Sequence, residues 1–196
     1  MKKNSRKILL AFSIIFSLIL VAGVAVLASV VIGADDVKLE TALLDQTTFI
    51  FATDPETGEE IVYDSVYDDE NRVWVSFEKI PKNMVNAFIA IEDERFYSHP
   101  GFDIKRLIGA MTTFVSKGNS SYGASTITQQ LVKNISGDED VNVKRKLREI
   151  YRAVKIEQMY EKEEILEFYL NTIYLSNQCN GVEAAAKRYF GKSVGE

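Results

Sequence analysis

The hydrophobic pattern changes twice along the chain and divides it into three parts. Residues 8–32 form a run of 25 residues without a charged side chain. As an α-helix this run would be about 37 Å long, enough to cross a hydrocarbon core of about 30 Å with some tilt. It is longer than the apolar part of an ordinary secretory signal peptide. The pattern therefore predicts a transmembrane anchor over residues 8–33, with a cleaved signal peptide as the alternative.

The second part, residues 34–80, has the loosely alternating pattern of short β-strands. Thr48–Thr53 precedes a Pro- and Gly-containing turn, and Ile61–Tyr63 follows that turn. A further strand is predicted over Arg72–Phe77. These residues predict a small β-hairpin module that links the membrane segment to the rest of the chain.

The third part, residues 81–196, has the 3.6-residue period of amphipathic helices. One helix is predicted from near Pro81, and another over Ile104–Val115 with Asp103 as its N-cap. Ser125 is predicted to cap the helix that follows it. Three more helices are predicted over Val143–Tyr160, Lys162–Tyr174 and Val182–Phe190. The predicted fold class is therefore mainly α, preceded by the β-hairpin module and one transmembrane helix.

The charge distribution supports the membrane assignment and argues against a nucleic-acid partner. Four of the 23 basic residues precede the apolar run, and the first acidic residue, Asp35, follows it. Basic residues concentrate on the cytoplasmic side of membrane anchors, so the tail of residues 1–7 is predicted to be cytoplasmic and the domain after the anchor extracytoplasmic. The part after Gly33 holds 19 basic and 28 acidic residues, which does not suit neutralisation of duplex phosphates.

Two clusters of charged residues are candidates for chemistry. Glu92 follows the apolar stretch Phe88–Ile91, which predicts a carboxylate at the edge of an apolar cleft, suited to a general base. The alternative is an idle acidic helix end. On the Val143–Tyr160 helix a charged stripe recurs at helical spacing: Arg145, Arg148, Glu149 and Arg152. This stripe is either a solvated set of ion pairs or a clamp for pyrophosphate, because guanidinium groups match phosphate oxygens.

The opposite stripe of the same helix is predicted to pack on the core: Leu147, Ile150, Tyr151 and Val154. A third cluster, Gly123–Asn134, is a glycine-led segment that opens a helix and offers backbone N–H groups to an anion. Gly118–Gly123 is predicted to be a loop by its composition. His99, the only histidine, is predicted to stabilise a turn, and Cys179, the only cysteine, to be a small packing residue.

Together these clusters resemble the motifs of one family. In chain order they are EDERFYSHPGFD from Glu92, GASTITQQLVKN from Gly123, RKLRE from Arg145, KEEILEFYLNTIY from Lys162 and GVEAAAKRYFGK from Gly181. Their order and spacing are similar to those of the peptidoglycan glycosyltransferase domain of class A penicillin-binding proteins and their monofunctional relatives. The resemblance covers residues 75–192. Because such domains continue through further helices, it implies a glycosyltransferase domain over residues 81–196 whose C-terminal part is missing.

The resemblance implies a lysozyme-like helical fold that polymerises lipid II into β-1,4 glycan strands with inversion, with undecaprenyl pyrophosphate as the leaving group. It implies Glu92 as the general base and Glu149 as a second essential carboxylate, which acts at the donor pyrophosphate directly or through a divalent cation, Mg²⁺ or Mn²⁺. The residues that it implies for binding sugar or phosphate are Ser125, Thr126, Gln129, Gln130, Lys133, Arg145, Lys146 and Arg148.

The same resemblance implies the surroundings of the protein. The implied partners are lipid II, the growing lipid-linked glycan strand and proteins of cell-wall synthesis or division. The implied location is the bacterial cell membrane, with a single pass. Ile104–Val115 and the loop after it are implied to border the groove for the lipid tail.

Two other functions stay open at this point. A lysozyme-like glycan hydrolase needs a protonated carboxylic acid opposite a second carboxylate, whereas the arginines around Glu149 suit an anionic leaving group better. A non-catalytic anchored scaffold that binds lipid II or division proteins would carry the same motifs without depending on Glu92.

Overall fold

The computed structural model describes residues 2–32, 34, 37–40, 48–55, 57–66, 71–117, 123, 125–137 and 142–196. Its first element is helix α1, Lys2–Ile32, and large apolar side chains along it are exposed. Among the described residues, one helix is long and apolar enough to cross a membrane, over Phe12–Ile32. This agrees with the predicted anchor, whose last residue, Gly33, lies outside the described residues.

Two antiparallel strands form the predicted hairpin. Strand β1 (Thr48–Thr53) pairs with strand β2 (Glu60–Val66). Between them the carbonyl of Asp54 accepts the N–H of Gly58 at 2.8 Å. Gly58 has a φ of +74°, a conformation that glycine adopts without steric cost. The Pro- and Gly-containing turn therefore connects the two strands at the predicted position.

The strand predicted over Arg72–Phe77 is wrong in all but its first residue. Only β3 (Asn71–Arg72) is paired, and it runs parallel to β4 (Cys179–Asn180), far along the chain. After β3 the chain reaches α6, where the side chain of Asn171 makes two hydrogen bonds with the backbone of Val75. The Asn171 Nδ2 donates to the Val75 carbonyl and its Oδ1 accepts the Val75 N–H, each at 2.8 Å. Within Val73–Phe77 only Val75 is buried, and its neighbours are half-buried, so the alternating sequence does not form a strand here.

Six helices follow, and each predicted helix is present. They are α2 (Lys82–Glu92), α3 (Ile104–Lys117), α4 (Ile127–Ser136), α5 (Val143–Met159), α6 (Lys162–Thr172) and α7 (Val182–Phe190). Single 3₁₀ turns lie at Phe77–Lys79 and Phe96–Ser98. The fold of the described residues is therefore mainly α, as predicted.

The main core lies between α4, α5 and α6. It is formed by apolar side chains that are fully buried: Ile127, Leu131, Ala153, Ile156, Ile165, Leu166, Tyr169 and Leu170. Full burial of a Leu or Ile side chain contributes about 1.5–3 kcal/mol to folding. Cys179 is also buried, in a smaller cluster with Ala184 and Ala185, which confirms its packing role.

Helix α5 packs with the face opposite to the predicted one. Its buried residues are Glu149, Arg152, Ala153 and Ile156, whereas Leu147, Ile150, Tyr151 and Val154 are half-buried. The prediction that the apolar stripe faces the core is therefore wrong. The charged stripe can turn inward because Glu149 has two cationic partners on its own helix, so its burial does not leave an unpaired charge.

Candidate active site

Glu92 is the last residue of α2, and its side chain is half-buried. Its Oε2 accepts a hydrogen bond from Gln130 Nε2 on α4 at 2.9 Å. The Glu92 carbonyl, at the negative end of the α2 dipole, accepts a hydrogen bond from Arg106 Nη1 on α3. The same Nη1 lies 3.5 Å from Asp93 Oδ1, so Arg106 places positive charge at the end of α2 and beside the Asp93 carboxylate.

Asp93, the next residue, is fully buried and anchors the loop after α2. Its carboxylate accepts hydrogen bonds from His99 Nε2 at 2.9 Å and from the N–H of Ile127, the first residue of α4, at 3.0 Å. The N–H of Gly101 donates to His99 Nδ1 at 3.3 Å, so Nε2 carries the proton. His99 therefore stabilises a turn, as predicted, and Asp93 ties α2 to the start of α4.

Helix α4 is capped by Thr126, and the prediction of Ser125 as its cap is wrong. Thr126 Oγ1 accepts the N–H of Gln129 at 3.2 Å, and Gln129 Oε1 accepts the N–H of Thr126 at 2.9 Å, which is a capping box. Thr126 Oγ1 also donates to the Gly101 carbonyl at 2.7 Å. Both side chains are buried. In this structure the predicted substrate contacts Thr126 and Gln129 are engaged in building the start of α4.

Glu149 lies on α5 with 5% of its side chain exposed. Arg145 Nη1 donates to its Oε2 at 2.9 Å, and Lys146 Nζ donates to its Oε1. Lys146 Nζ also donates to Ser125 Oγ at 2.9 Å. Because the carboxylate is buried between two cations, it is not part of a solvated surface stripe. Lys146 connects it to the segment that precedes α4.

Each predicted carboxylate has a hydrogen-bonded partner that connects it to α4 or to the segment before α4. On the Glu92 side, the Gly123 carbonyl accepts a hydrogen bond from Arg106 Nη2 at 2.5 Å. On the Glu149 side, Ser125 bonds to Lys146. The structure thus brings the predicted site residues together in two sets of contacts: Glu92 with Gln130, and Glu149 with Arg145, Lys146 and, through Lys146, Ser125.

The two remaining predicted residues lie on the same two helices, α4 and α5. Lys133 is exposed on α4, three positions after Gln130, and Arg148 is half-buried on α5, next to Glu149 in sequence. The predicted Gly118–Gly123 loop lies outside the described residues, apart from Gly123.

Three residues at the site were missed by sequence reasoning: Asp93, Arg106 and Tyr169. The Tyr169 hydroxyl donates to Gln130 Oε1 at 3.2 Å. Burial, and then the carboxylates of Glu92 and Asp93, raise the pKa of Tyr169 far above its usual value of 10.0. Two of the three lie inside motifs quoted above. Arg106 had no such signal, because it lies on the polar face of α3, opposite Ile104 and Ile108, where an arginine is ordinary.

A family model described as transglycosylase matches residues 59–196. This range covers most of the chain and contains both carboxylates, the start of α4 and the charged stripe of α5. The chain belongs to the transglycosylase family.

Relatives of this transglycosylase chain are penicillin-binding proteins. Penicillin-binding protein 1A of Clostridium tetani is 51% identical over 135 residues, which cover 67% of this chain and 17% of that protein. Penicillin-binding protein 1A of Escherichia coli is 47% identical over 128 residues, 65% of this chain and 15% of that protein. Penicillin-binding protein 2D of Bacillus subtilis is 38% identical over 182 residues, 93% of this chain and 26% of that protein. The transglycosylase chain thus spans about a quarter or less of the length of these relatives.

Proposed function

We propose that this transglycosylase chain is a peptidoglycan glycosyltransferase that polymerises lipid II into β-1,4 glycan strands in cell-wall synthesis. The observation that carries the proposal is the contrast between two carboxylates whose partners connect to α4 and to the segment before it. Glu92 is half-buried and bonds to a neutral amide, whereas Glu149 is buried between two cations. Such a difference in surroundings suits two different roles in one reaction.

Glu92 is the general base of the proposed reaction. It takes the proton from the GlcNAc 4-hydroxyl of an incoming lipid II as that oxygen attacks the anomeric carbon of the growing strand. The bond from that carbon to undecaprenyl pyrophosphate breaks, and the configuration inverts. Gln130 bonds to one oxygen of Glu92, which holds the carboxylate in place for the proton transfer.

The cations around Glu149 serve the leaving group. Pyrophosphate departs as an anion, so stabilisation of its growing negative charge matters more than protonation of a sugar oxygen. Arg145 and Lys146 lie at the buried carboxylate, and Arg148 lies on the same helix. Glu149 then acts by holding these cations in position for the pyrophosphate.

The other predicted binding residues have different parts in the proposal. Ser125 is half-buried and accepts from Lys146, so its hydroxyl is placed to contact the same phosphate. Lys133 is exposed and supplies a further cation on α4. Thr126 and Gln129 position the backbone N–H groups at the start of α4 rather than contact the substrate themselves.

The predicted divalent cation, Mg²⁺ or Mn²⁺, has only Glu149 among the proposed site residues as a suitable ligand beside the pyrophosphate. Both oxygens of that carboxylate already accept hydrogen bonds from cationic groups. The described part of the chain contains no group of three or more His, Cys, Asp or Glu side chains that could hold a metal ion. A divalent cation at the pyrophosphate would have Glu149 as its protein carboxylate together with the substrate phosphates, a donor set typical of Mg²⁺, and it would take the place of Arg145 or Lys146 at that carboxylate.

The proposal includes a membrane location with the helical domain outside the cytoplasm. Ile104, Leu107 and Ile108 on α3 are exposed in the described structure, and they would border the groove for the lipid tail of the substrate. The proposed domain division is the predicted one, with a cytoplasmic tail, an anchor, the hairpin module and a lysozyme-like glycosyltransferase domain. The proposed glycosyltransferase domain begins at residue 71 rather than at residue 81, since β3 and Val75 pack with the helices. Proteins of cell-wall synthesis or division remain proposed partners.

The test is polymerisation of labelled lipid II by the full chain in detergent. Glu92→Gln keeps the shape and the hydrogen-bonding capacity of the side chain but removes the base, so we expect the rate to fall by about 100-fold or more. Glu94→Gln is the matched control, because Glu94 is an exposed acid two positions away; we expect its rate within twofold of the unmodified chain. Equal rates for both variants would refute the catalytic role of Glu92, whereas no polymer from the unmodified chain would favour the non-catalytic scaffold. Release of soluble fragments from purified cell wall would instead identify a hydrolase.

A further inference from the structure

The hydroxyl of Tyr169 on α6 contacts Gln130, the residue that is hydrogen-bonded to Glu92. The side chain of Tyr169 is fully buried, and its ring packs edge-on against Phe88 of α2, with ring centroids 6.2 Å apart. The hydroxyl donates to Gln130 Oε1 at 3.2 Å. The ring therefore belongs to the core, while the hydroxyl belongs to the polar contacts around Glu92.

The hydroxyl of Tyr169 fixes the orientation of the side-chain amide of Gln130. An amide has one end that accepts and one end that donates. With Oε1 towards the Tyr169 proton, Nε2 donates to Glu92 Oε2 at 2.9 Å. A flipped amide would place its oxygen against the carboxylate oxygen, and two acceptors would then face each other. The tyrosine remains a donor at any physiological pH, because burial and the two neighbouring carboxylates raise its pKa far above 10.0.

We propose that Tyr169 is a positioning residue for the reaction, which acts on Glu92 through the amide of Gln130. By fixing the amide, it fixes the N–H that holds Oε2 of Glu92, and it leaves the other oxygen of the carboxylate to take the substrate proton. This proposal rests on the proposed role of Glu92 as the base. It adds a residue from α6, which packs beneath the site and has no other part in the mechanism.

The hydroxyl can be separated from the ring by substitution. Tyr169→Phe keeps the packing against Phe88 and removes only the donor. We expect kcat for lipid II polymerisation to fall about tenfold, because the carboxylate is held less well, while KM for lipid II stays within twofold. Tyr189→Phe is the matched control: its hydroxyl also joins two groups, Asn177 and the Leu175 carbonyl, in another part of the molecule. We expect its kcat and KM to stay within twofold of the unmodified chain.

A double-variant experiment tests the route through Gln130. Gln130→Leu removes the relay directly, and its side chain is only half-buried. We expect its kcat to fall at least as far as that of Tyr169→Phe, and we expect addition of Tyr169→Phe to Gln130→Leu to change kcat by less than twofold. Unchanged kcat in either single variant, or losses that multiply in the double variant, would overturn the proposal.

The failure of the relay can be distinguished from the failure of the base. An inactive Glu92→Gln with a fully active Tyr169→Phe would reject the relay and keep the base. An active Glu92→Gln would reject the base, and the relay with it. Melting temperatures of all variants in the same detergent show whether a lost kcat reflects lost folding, and Gln130→Leu decides the question should Tyr169→Phe unfold.

Discussion

Asp103 serves two neighbouring elements with one buried carboxylate. Its Oδ1 accepts the N–H of Lys105 at 2.9 Å and that of Arg106 at 3.2 Å, which caps α3 as predicted. Arg95 Nε donates to its Oδ2 at 2.8 Å from the loop after α2. Burial acts to raise the pKa of Asp103, but the hydrogen bonds from the Arg106 N–H and from Arg95 outweigh it and lower the pKa below its usual 3.8.

This lowered pKa makes the stability of the chain depend on pH in the acid range. A carboxyl whose pKa is lower in the folded state stabilises that state above its unfolded pKa, and the contribution is lost as the pH falls through the folded pKa. We expect the free energy of unfolding to fall more steeply between pH 5 and 3 in the unmodified chain than in Asp103→Asn, by urea titration in detergent. At pH 7, Asp103→Asn should cost about 1 kcal/mol through the lost ion pair with Arg95, since Asn caps a helix about as well as Asp. Glu94→Gln, an exposed acid, should keep the unmodified slope, and equal slopes for all three chains would contradict the role of Asp103.

The caps of α3 and α4 show how far a helix cap can be predicted from the residues at the start of a helix. Asp103 was predicted correctly, whereas the predicted cap of α4, Ser125, stands one residue before the actual cap, Thr126. The sequence contained the deciding signal, since Gln129 stands three positions after Thr126, the spacing of a capping box. Tyr169 had no such signal: nothing local distinguishes a tyrosine whose hydroxyl reaches a distant amide from one that simply fills the core.

At the scale of elements, helix positions followed from periodicity, but the orientation of α5 did not. This helix has both an apolar stripe and a charged stripe. The expectation that the apolar stripe is buried was wrong, because the buried residues are Glu149, Arg152, Ala153 and Ile156. The ion pairs of Glu149 are formed within α5, so they compensate its burial before any other helix is considered. Which stripe faces inward then depends on long-range packing, which periodicity does not contain. The same limit explains β3, whose partner β4 lies far along the chain.

The loop after α2 packs so closely on α5 that one position excludes every side chain. Gly101 has a φ of +92°, and a Cβ there would lie 2.7 Å from the carbonyl carbon and oxygen of Ala153. This contact holds the loop with Asp93 and His99 against the helix that carries Glu149. We expect Gly101→Ala to lower the free energy of unfolding by more than about 2 kcal/mol, because it adds a clash with rigid backbone to the strain of positive φ.

The hairpin offers a matched control for that substitution. Gly58 also has a positive φ, +74°, but a Cβ there would meet no atom within 4 Å. Gly58→Ala should therefore cost only the backbone strain of about 1–2 kcal/mol. Because Gly101 positions the site, Gly101→Ala should also reduce lipid II polymerisation, whereas Gly58→Ala should not. Equal losses of stability for the two variants would show that the approach of Gly101 to α5 is not tight.

At the scale of the whole molecule, the residues that follow the apolar helix pack on the catalytic part. Leu39 is fully buried in the main core, and its N–H donates to the Tyr160 hydroxyl at 3.4 Å. That hydroxyl donates to Glu40 Oε2 at 2.9 Å. Tyr160 caps the end of α5, the helix that carries Glu149. The membrane-proximal segment and the proposed pyrophosphate site are therefore held by one helix, which suits a substrate whose lipid tail remains in the bilayer.

This arrangement has a consequence for topology that can be measured in cells. The basic residues that precede the apolar run of α1 predict a cytoplasmic N-terminus, so the helical domain should face outward, where a lipid-linked glycan strand can grow. Cys179, the only cysteine, is buried with 1% exposure, so the unmodified chain should react little with a membrane-impermeant maleimide. We expect Lys79→Cys, at an exposed position of the domain, to be labelled in intact spheroplasts. Lys3→Cys should be labelled only after permeabilisation; the reverse pattern would place the site in the cytoplasm and contradict extracytoplasmic polymerisation.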